Sequence, residues 1–134
     1  MFKLNHRFEE DSIFVTKLEL CQVRLQNDAR FPWFILIPEV EGVEEVDALS
    51  VSQQHVLIDE SSKVSAALRT VVSADKINVA NLGNIVRQLH WHVVARTEND
   101  VAWPGPIWGG GTAEKYEDKK RVELIDSFLT ALNK

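Results

Sequence analysis

Residues 82–96 read LGNIVRQLHWHVVAR, and this stretch decides the fold. From residue 88 onward polar and apolar side chains alternate, which at a period of two predicts a β-strand from Gln88 to Arg96. The polar side chains share one face of that strand, and they are Gln88, His90 and His92. The apolar side chains share the other face, and they are Leu89, Trp91 and Val93. We therefore expect a polar column facing a groove and an apolar face packed beneath helices.

The residues just before this strand predict a second strand and a tight turn. Lys76–Ala80 (KINVA) is rich in β-branched residues, and Asn81-Leu82-Gly83-Asn84 has the composition of a turn. Gly83 is the residue in this turn that is free to adopt a positive φ.

The rest of the chain predicts an antiparallel meander with two helices. Residues 12–26 read as two extended pieces, Asn27 to Arg30 has turn chemistry, and Phe31–Pro38 is a short apolar strand ended by proline. A capping box formed by Ser50 and Gln53 predicts a helix to about Val72. A loop rich in Trp, Pro and Gly follows the last strand, and an apolar stripe predicts a C-terminal helix at about 112–133. The predicted fold is a single α+β domain over residues 1–134, in which helices pack on an antiparallel sheet of about five strands.

Composition narrows the class of protein. The 134 residues carry a net charge of −5, which argues against a nucleic-acid binder, because phosphate affinity comes from clustered Lys and Arg. A single cysteine, Cys21, excludes an intramolecular disulfide and a multi-cysteine zinc site. No apolar run approaches the roughly 20 residues that span a bilayer, and the N-terminus has no signal-peptide pattern. We expect a cytoplasmic protein without a membrane or nucleic-acid partner.

Three interpretations of His90 and His92 are compatible with the pattern alone. They are ordinary polar residues on the exposed face of a half-buried sheet, two ligands of a metal site, or a nucleophile and its supporting neighbour. A metal site needs a third strong ligand, and the sequence gives no reason to place Cys21 or His55 nearby, which leaves Glu41 or Asp28 as the candidates. Periodicity does not choose among the three.

Residues 82–96 resemble the signature of the histidine triad superfamily, a Gly-Gln turn followed by His-φ-His-φ-His-φ-φ, where φ is apolar. Gly83 and Asn84 match the Gly-Gln pair, and Gln88, His90 and His92 match the three histidines. The strand WFILIP also resembles the His-x-Leu-Val-Ile-Pro strand of the family, so the similarity covers about residues 13–108.

The resemblance implies an activity and a site. Family members are small α+β proteins, often homodimers, whose middle histidine attacks the α-phosphate of a nucleotide to form a covalent nucleotidyl-histidine. By position His90 is that nucleophile, and His92 helps to hold the phosphate oxygens or to order the site. Substrate contacts are implied or suggested by position for the remaining candidate residues, which are Gly83, Asn84, Asn78, Asn27 and Asp28. A purine nucleotide is the expected ligand, with no cofactor and no metal.

Four positions depart from the family pattern. Gln88 stands in place of the first histidine, Asn84 in place of Gln, Ile85 in place of a Ser or Thr at the leaving group, and Trp33 in place of a fourth histidine. Glutamine can form hydrogen bonds but cannot take up a proton or carry a positive charge. The residues around the nucleophile therefore differ from those of typical family members. The sequence therefore predicts a nucleotide hydrolase or nucleotidyl transferase. The alternatives are a nucleotide-binding module with little or no turnover and a metal-dependent enzyme using the two histidines.

Overall fold

A five-stranded antiparallel sheet forms the centre of the computed structural model, which describes all residues 1–134. In chain order the elements are helix α1 (His6–Asp11), strands β1 (Ser12–Lys17), β2 (Cys21–Gln26) and β3 (Trp33–Pro38), a 3-10 turn (Val46–Ala48), helix α2 (Val51–Val71), strands β4 (Lys76–Asn81) and β5 (Trp91–Arg96), and helix α3 (Asp118–Leu132). The strands lie in the order β1-β2-β3-β5-β4, with every neighbouring pair antiparallel. The predicted fold class is confirmed. None of the three α-helices combines the length and the hydropathy that a membrane-spanning helix requires.

Helices α2 and α3 cover one face of the sheet and enclose the main core. Strand side chains of this face alternate with those of the opposite face, as the sequence pattern predicts for Leu89 and Val93, both of which are buried here. Phe34 of β3 stacks on Phe128 of α3 with ring centroids 4.1 Å apart. Trp91 packs at the edge of this core and donates its indole N–H to the hydroxyl of Ser61 on α2 (3.0 Å).

The second face of the sheet is also covered, which the sequence pattern does not predict. Residues 1–11, which we call the N-terminal segment, lie over it, and Phe8 packs against Ile35 and Ile37. The loop after β5 covers the neighbouring part, where Ile107 packs on Phe31 and Val94. His90 and His92 therefore lie in an enclosed part of this face and not on an open surface, since they are only 7% and 5% exposed.

The capping box that predicts α2 is present. The Ser50 hydroxyl accepts from the Gln53 N–H (3.1 Å), and the Gln53 side chain accepts from the Ser50 N–H (2.9 Å). Within α2 the Glu60 carboxylate, 2% exposed, accepts the backbone N–H groups of Leu20 and Cys21 at 3.1 and 2.9 Å. Glu60 thus joins α2 to the hairpin between β1 and β2.

Two predicted element bounds differ from the structure by three residues or more. Strand β5 begins at Trp91 instead of Gln88, because the Leu89 N–H donates to Val43 outside the sheet. Helix α3 begins at Asp118 instead of residue 112, because the preceding residues are held extended by hydrogen bonds to the β2–β3 turn. There the backbone N–H groups of Glu114 and Tyr116 donate to Asp28 and Asn27.

Candidate active site

Two imidazole rings lie side by side on the second face of the sheet. His92 is in β5 opposite Ile35 of β3, and His90 lies immediately before β5. Their ring centroids are 4.8 Å apart, and the planes meet at 68°. Both rings line a cavity of about 330 Å³.

The walls of this cavity, which we call the histidine cavity, are largely apolar and come from five parts of the chain besides the two histidines. α1 supplies an aromatic ring and an arginine, β2 and β3 supply Gln26 and Trp33, the loop before β5 supplies residues 82 and 84–86, and the loop after β5 supplies Trp108 and Gly109. The Phe8 ring meets His90 edge to face with centroids 4.9 Å apart, and the Trp108 ring lies 5.3 Å from His92. Arg7 and Asp11 are the charged residues at the wall, with their nearest N and O atoms 3.8 Å apart.

His90 is held as a neutral imidazole with one nitrogen available. Its Nδ1 lies 2.7 Å from the carbonyl oxygen of Gln88, and since a carbonyl only accepts, Nδ1 carries the proton. Burial lowers the pKa of His90, and the Gln88 carbonyl opposes that effect. Nε2 therefore has a free lone pair at pH 7, has no hydrogen-bond partner in the protein and is not sealed from the cavity.

His92 is held in the opposite tautomer, with both nitrogens used. The Trp33 indole N–H donates to Nδ1 (3.0 Å), so the proton is on Nε2, which lies 3.2 Å from the Leu82 carbonyl oxygen. Burial lowers the pKa of His92 to about 4, the neighbouring His90 adds to the effect, and the Leu82 carbonyl opposes it. Of the two implied roles for His92, these contacts favour ordering the site over holding phosphate oxygens.

Gln88 does not join the two histidines. Its side chain turns away from the histidine cavity and hydrogen-bonds the N-terminal segment, with Nε2 donating to the Lys3 carbonyl (2.8 Å) and Oε1 accepting from the Asn5 N–H (2.9 Å). The predicted column of three polar side chains is therefore wrong at this position. The residue contributes its backbone carbonyl to His90 instead.

The predicted turn brings Asn84 to the cavity, but Gly83 is needed for a different reason from the one expected. Its φ is not positive, since positive φ angles occur only at Gly42, Gly109 and Gly111. A Cβ atom at Gly83 would lie 2.9 Å from the Val86 carbonyl oxygen and 3.5 Å from the Cε1 of His90. Glycine therefore permits the loop to fold closely over the His90 ring.

The remaining candidate residues lie outside the histidine cavity. Asp28 is 1% exposed and is occupied by Arg30 and the Glu114 N–H, and these hydrogen bonds outweigh burial and lower its pKa. Asn27 accepts from the Tyr116 N–H. Asn78 accepts from Arg96 (2.8 Å), which also pairs with Asp100 (2.7 Å). These three residues organise loops, so the substrate contacts predicted for them have no geometric support.

Sequence reasoning missed the contribution of α1. Its six residues are too few to show a helical period, although Asn5 is a favourable N-cap and accepts from the Arg7 N–H. The apolar Trp-Pro-Gly loop was a signal for Trp108, because aromatic residues in an irregular loop need a surface to cover. No group of three His, Cys, Asp or Glu side chains gathers in a way that could hold a metal ion.

Comparison with known proteins finds similarity in both sequence and structure. The family model of the HIT domain, the histidine triad domain, matches residues 7–99. A histidine triad protein from Sinorhizobium meliloti 1021 is 44% identical, with a TM-score of 0.96 over 98% of this chain and 97% of that chain. Histidine triad proteins from Marinobacter aquaeolei VT8 (38% identical, 99% and 97% covered) and Bradyrhizobium japonicum (36% identical, 98% of each covered) also have TM-scores of 0.96. No curated protein matches the chain in sequence.

Proposed function

Since the chain belongs to the histidine triad family, whose members are in general nucleotide-binding hydrolases and transferases, we propose that it cleaves a nucleotide at the α-phosphate through His90. One observation carries this proposal. The Nδ1–H of His90 is tied to a carbonyl while Nε2 is unpartnered beside the histidine cavity. A positioned neutral imidazole of this kind is a competent nucleophile near pH 7.

The reaction has two steps. In the first, the Nε2 lone pair forms a bond to the α-phosphorus, the bond from phosphorus to the leaving group breaks, and the leaving group takes that electron pair. The ring then carries a positive charge, and its Nδ1–H remains hydrogen-bonded to the Gln88 carbonyl, which stabilises that charge. In the second, the oxygen of water or of another hydroxyl acceptor attacks phosphorus, the N–P bond breaks, and its electrons return to Nε2. The proton of the attacking hydroxyl group passes to solvent.

The lining of the cavity favours one class of leaving group. Ile85 replaces a hydroxyl-bearing residue and is 83% exposed, and neutral His92 uses its one N–H on the Leu82 carbonyl. No side chain of the lining is therefore poised to protonate a departing amine near pH 7. Phosphoric anhydrides release a stable anion without such help, so we expect them to react faster than phosphoramidates.

A nucleotide-binding module with little turnover is the competing function. The observation that favours it is the use of the Gln88 amide and both His92 nitrogens within the protein, which leaves few donors for a phosphate. The aromatic side chains of the walls would suit a flat purine base in either case, and they are Phe8, Trp33 and Trp108.

Intact-mass spectrometry decides between turnover and binding. The protein is mixed with an adenosine dinucleotide polyphosphate or an adenosine phosphoramidate, and we expect a mass increase of one AMP that is larger with the anhydride. His90→Ala should abolish the adduct and lower kcat by at least about a thousandfold, whereas His55→Ala, at an exposed position on α2, should change neither. Bound nucleotide with no adduct and no released AMP would establish the binding module instead.

A homodimer in the cytoplasm completes the proposal. Strand β4 is at the edge of the sheet and its Val79 is 45% exposed, so a second copy has a strand to pair with. The free Cys21 is fully buried, as suits a reducing compartment. Sedimentation at micromolar concentration tests the assembly, and a monomer there would contradict it.

A further inference from the structure

Gln88 connects two parts of the site that are far apart in sequence. Its amide faces the N-terminal segment, and both bonds are to backbone groups two residues apart, the carbonyl of Lys3 and the N–H of Asn5. A primary amide can form both bonds at once, because its N–H donor and its oxygen acceptor lie side by side in one plane. The two nitrogens of a histidine diverge, and a carboxylate has no donor, so neither replaces both bonds.

Asn5 carries the connection from Gln88 to α1. Its backbone N–H bonds the amide, and its side chain accepts from the Arg7 N–H (2.9 Å) as the N-cap of the helix. The position of the first turn of α1 is therefore set by the residue that Gln88 holds. A helix of six residues has little stability of its own and depends on such contacts.

Helix α1 in turn forms the outer wall of the histidine cavity. Phe8 is 5% exposed and meets the His90 ring edge to face, and Arg7 brings a guanidinium to the rim. Arg7 is half-exposed and only loosely paired with Asp11 at 3.8 Å, so its charge is available to an anionic ligand. The backbone carbonyl of Gln88 meanwhile holds the other side of His90.

We propose that Gln88 is a positioning residue, which through Asn5 and α1 places Arg7 and Phe8 as the ligand-binding wall beside His90. The expected effect of Gln88 on KM rests on the proposed function, whereas its hydrogen bonds to the N-terminal segment do not. Gln88, which matches the first histidine of the triad, therefore contributes to substrate binding through the N-terminal segment. It does not take part in the transfer of the phosphoryl group. Its side chain is expected to act on KM, because the carbonyl that orients His90 belongs to the backbone and survives substitution.

Gln88→Met tests this, because methionine keeps the length of the side chain and removes both hydrogen bonds. We expect hydrogen exchange of the Asn5 amide to accelerate about 30-fold, the ratio expected for two ordinary hydrogen bonds. KM should rise about tenfold while kcat stays within about threefold. Gln53→Met, which removes another glutamine bonded to backbone at the start of α2, should leave the Asn5 amide and KM unchanged.

Asn5→Ala provides a second variant that leaves residue 88 intact. It removes the N-cap of α1 and should raise KM in the same direction, with kcat again retained. Gln88→His should also free the N-terminal segment and should not increase kcat. Asn5 amide exchange that stays slow in Gln88→Met would overturn the proposal, as would a hundredfold loss of kcat with KM unchanged.

The two proposals fail in different ways. If the wild-type protein shows no turnover, exchange of the Asn5 amide and the dissociation constant of AMP still measure the positioning role. If AMP does not bind to the wild-type protein, the proposed function is wrong, while the exchange rates alone decide whether Gln88 holds the segment.

Discussion

Burial is the main reason that the pKa of His92 is low, and a hydrogen bond from Trp33 adds to this effect. The indole N–H donates to Nδ1 of His92 only while that nitrogen is unprotonated, so the bond favours the neutral ring. Trp33→Phe removes the donor and keeps an aromatic ring, and we expect it to raise the pKa of His92 from about 4 toward its ordinary value, by the equivalent of about 1 kcal/mol. An NMR titration of the His92 ring measures the change.

Trp108→Phe is the matched control for this prediction. The Trp108 ring also packs on His92, but its indole N–H is buried without a hydrogen-bond partner, so no hydrogen bond to the histidine is lost. Equal pKa changes in both variants would show that ring packing, and not the hydrogen bond, controls His92. At the scale of single residues, the sequence predicts His90 as the nucleophile by resemblance. It does not predict that Trp33 bonds His92, because this contact depends on the register between β3 and β5, which no local sequence pattern determines.

At the scale of the elements, Glu60 is the contact that joins α2 to the β1–β2 hairpin. Its buried carboxylate accepts two backbone N–H groups, and the amide of Gln retains only one acceptor oxygen. Glu60→Gln should therefore lower the free energy of unfolding by about 1–3 kcal/mol, the cost of an unsatisfied buried donor. Urea denaturation at pH 7 measures it.

Asp59→Asn serves as the comparison at the next position of the same helix. Asp59 is exposed and pairs with Lys63 at 3.2 Å, and such a surface pair contributes at most about 1 kcal/mol. A loss in Asp59→Asn as large as that in Glu60→Gln would refute the buried role. The sequence predicts that α2 is a helix, because its capping box and its apolar periodicity involve only residues close together in the chain. It does not predict the start of α3, since Asn27 and Asp28 hold residues 114 and 116 from 86 to 89 positions away.

For the whole molecule, two buried neutral histidines make stability depend on pH. Burial lowers both pKa values in the folded state, that of His92 from 6.5 to about 4, whereas the unfolded chain keeps ordinary values. Below pH 6.5 the unfolded chain binds more protons, so stability falls as the pH falls toward 4. His92 alone should cost about 2 kcal/mol between pH 7 and pH 5.

Denaturation of the wild type and of His92→Gln at both pH values isolates this effect. The difference in unfolding free energy between pH 7 and pH 5 should shrink by about 2 kcal/mol in the variant, whatever its stability at pH 7. An unchanged difference in His92→Gln would mean that the ring is not held neutral. The burial of these rings could not be predicted from the sequence. It depends on α1 and the loop after β5, which cover the second face of the sheet.

The indoles at the cavity wall give the protein an optical signal of its own. Of the four tryptophans, Trp33 and Trp108 line the histidine cavity, while Trp91 is fixed to Ser61 on the opposite face. A purine entering the cavity would stack near two emitting rings and quench them without any added dye. Occupancy can therefore be followed in real time by intrinsic fluorescence, and a covalent intermediate would appear as a signal that outlasts removal of free nucleotide.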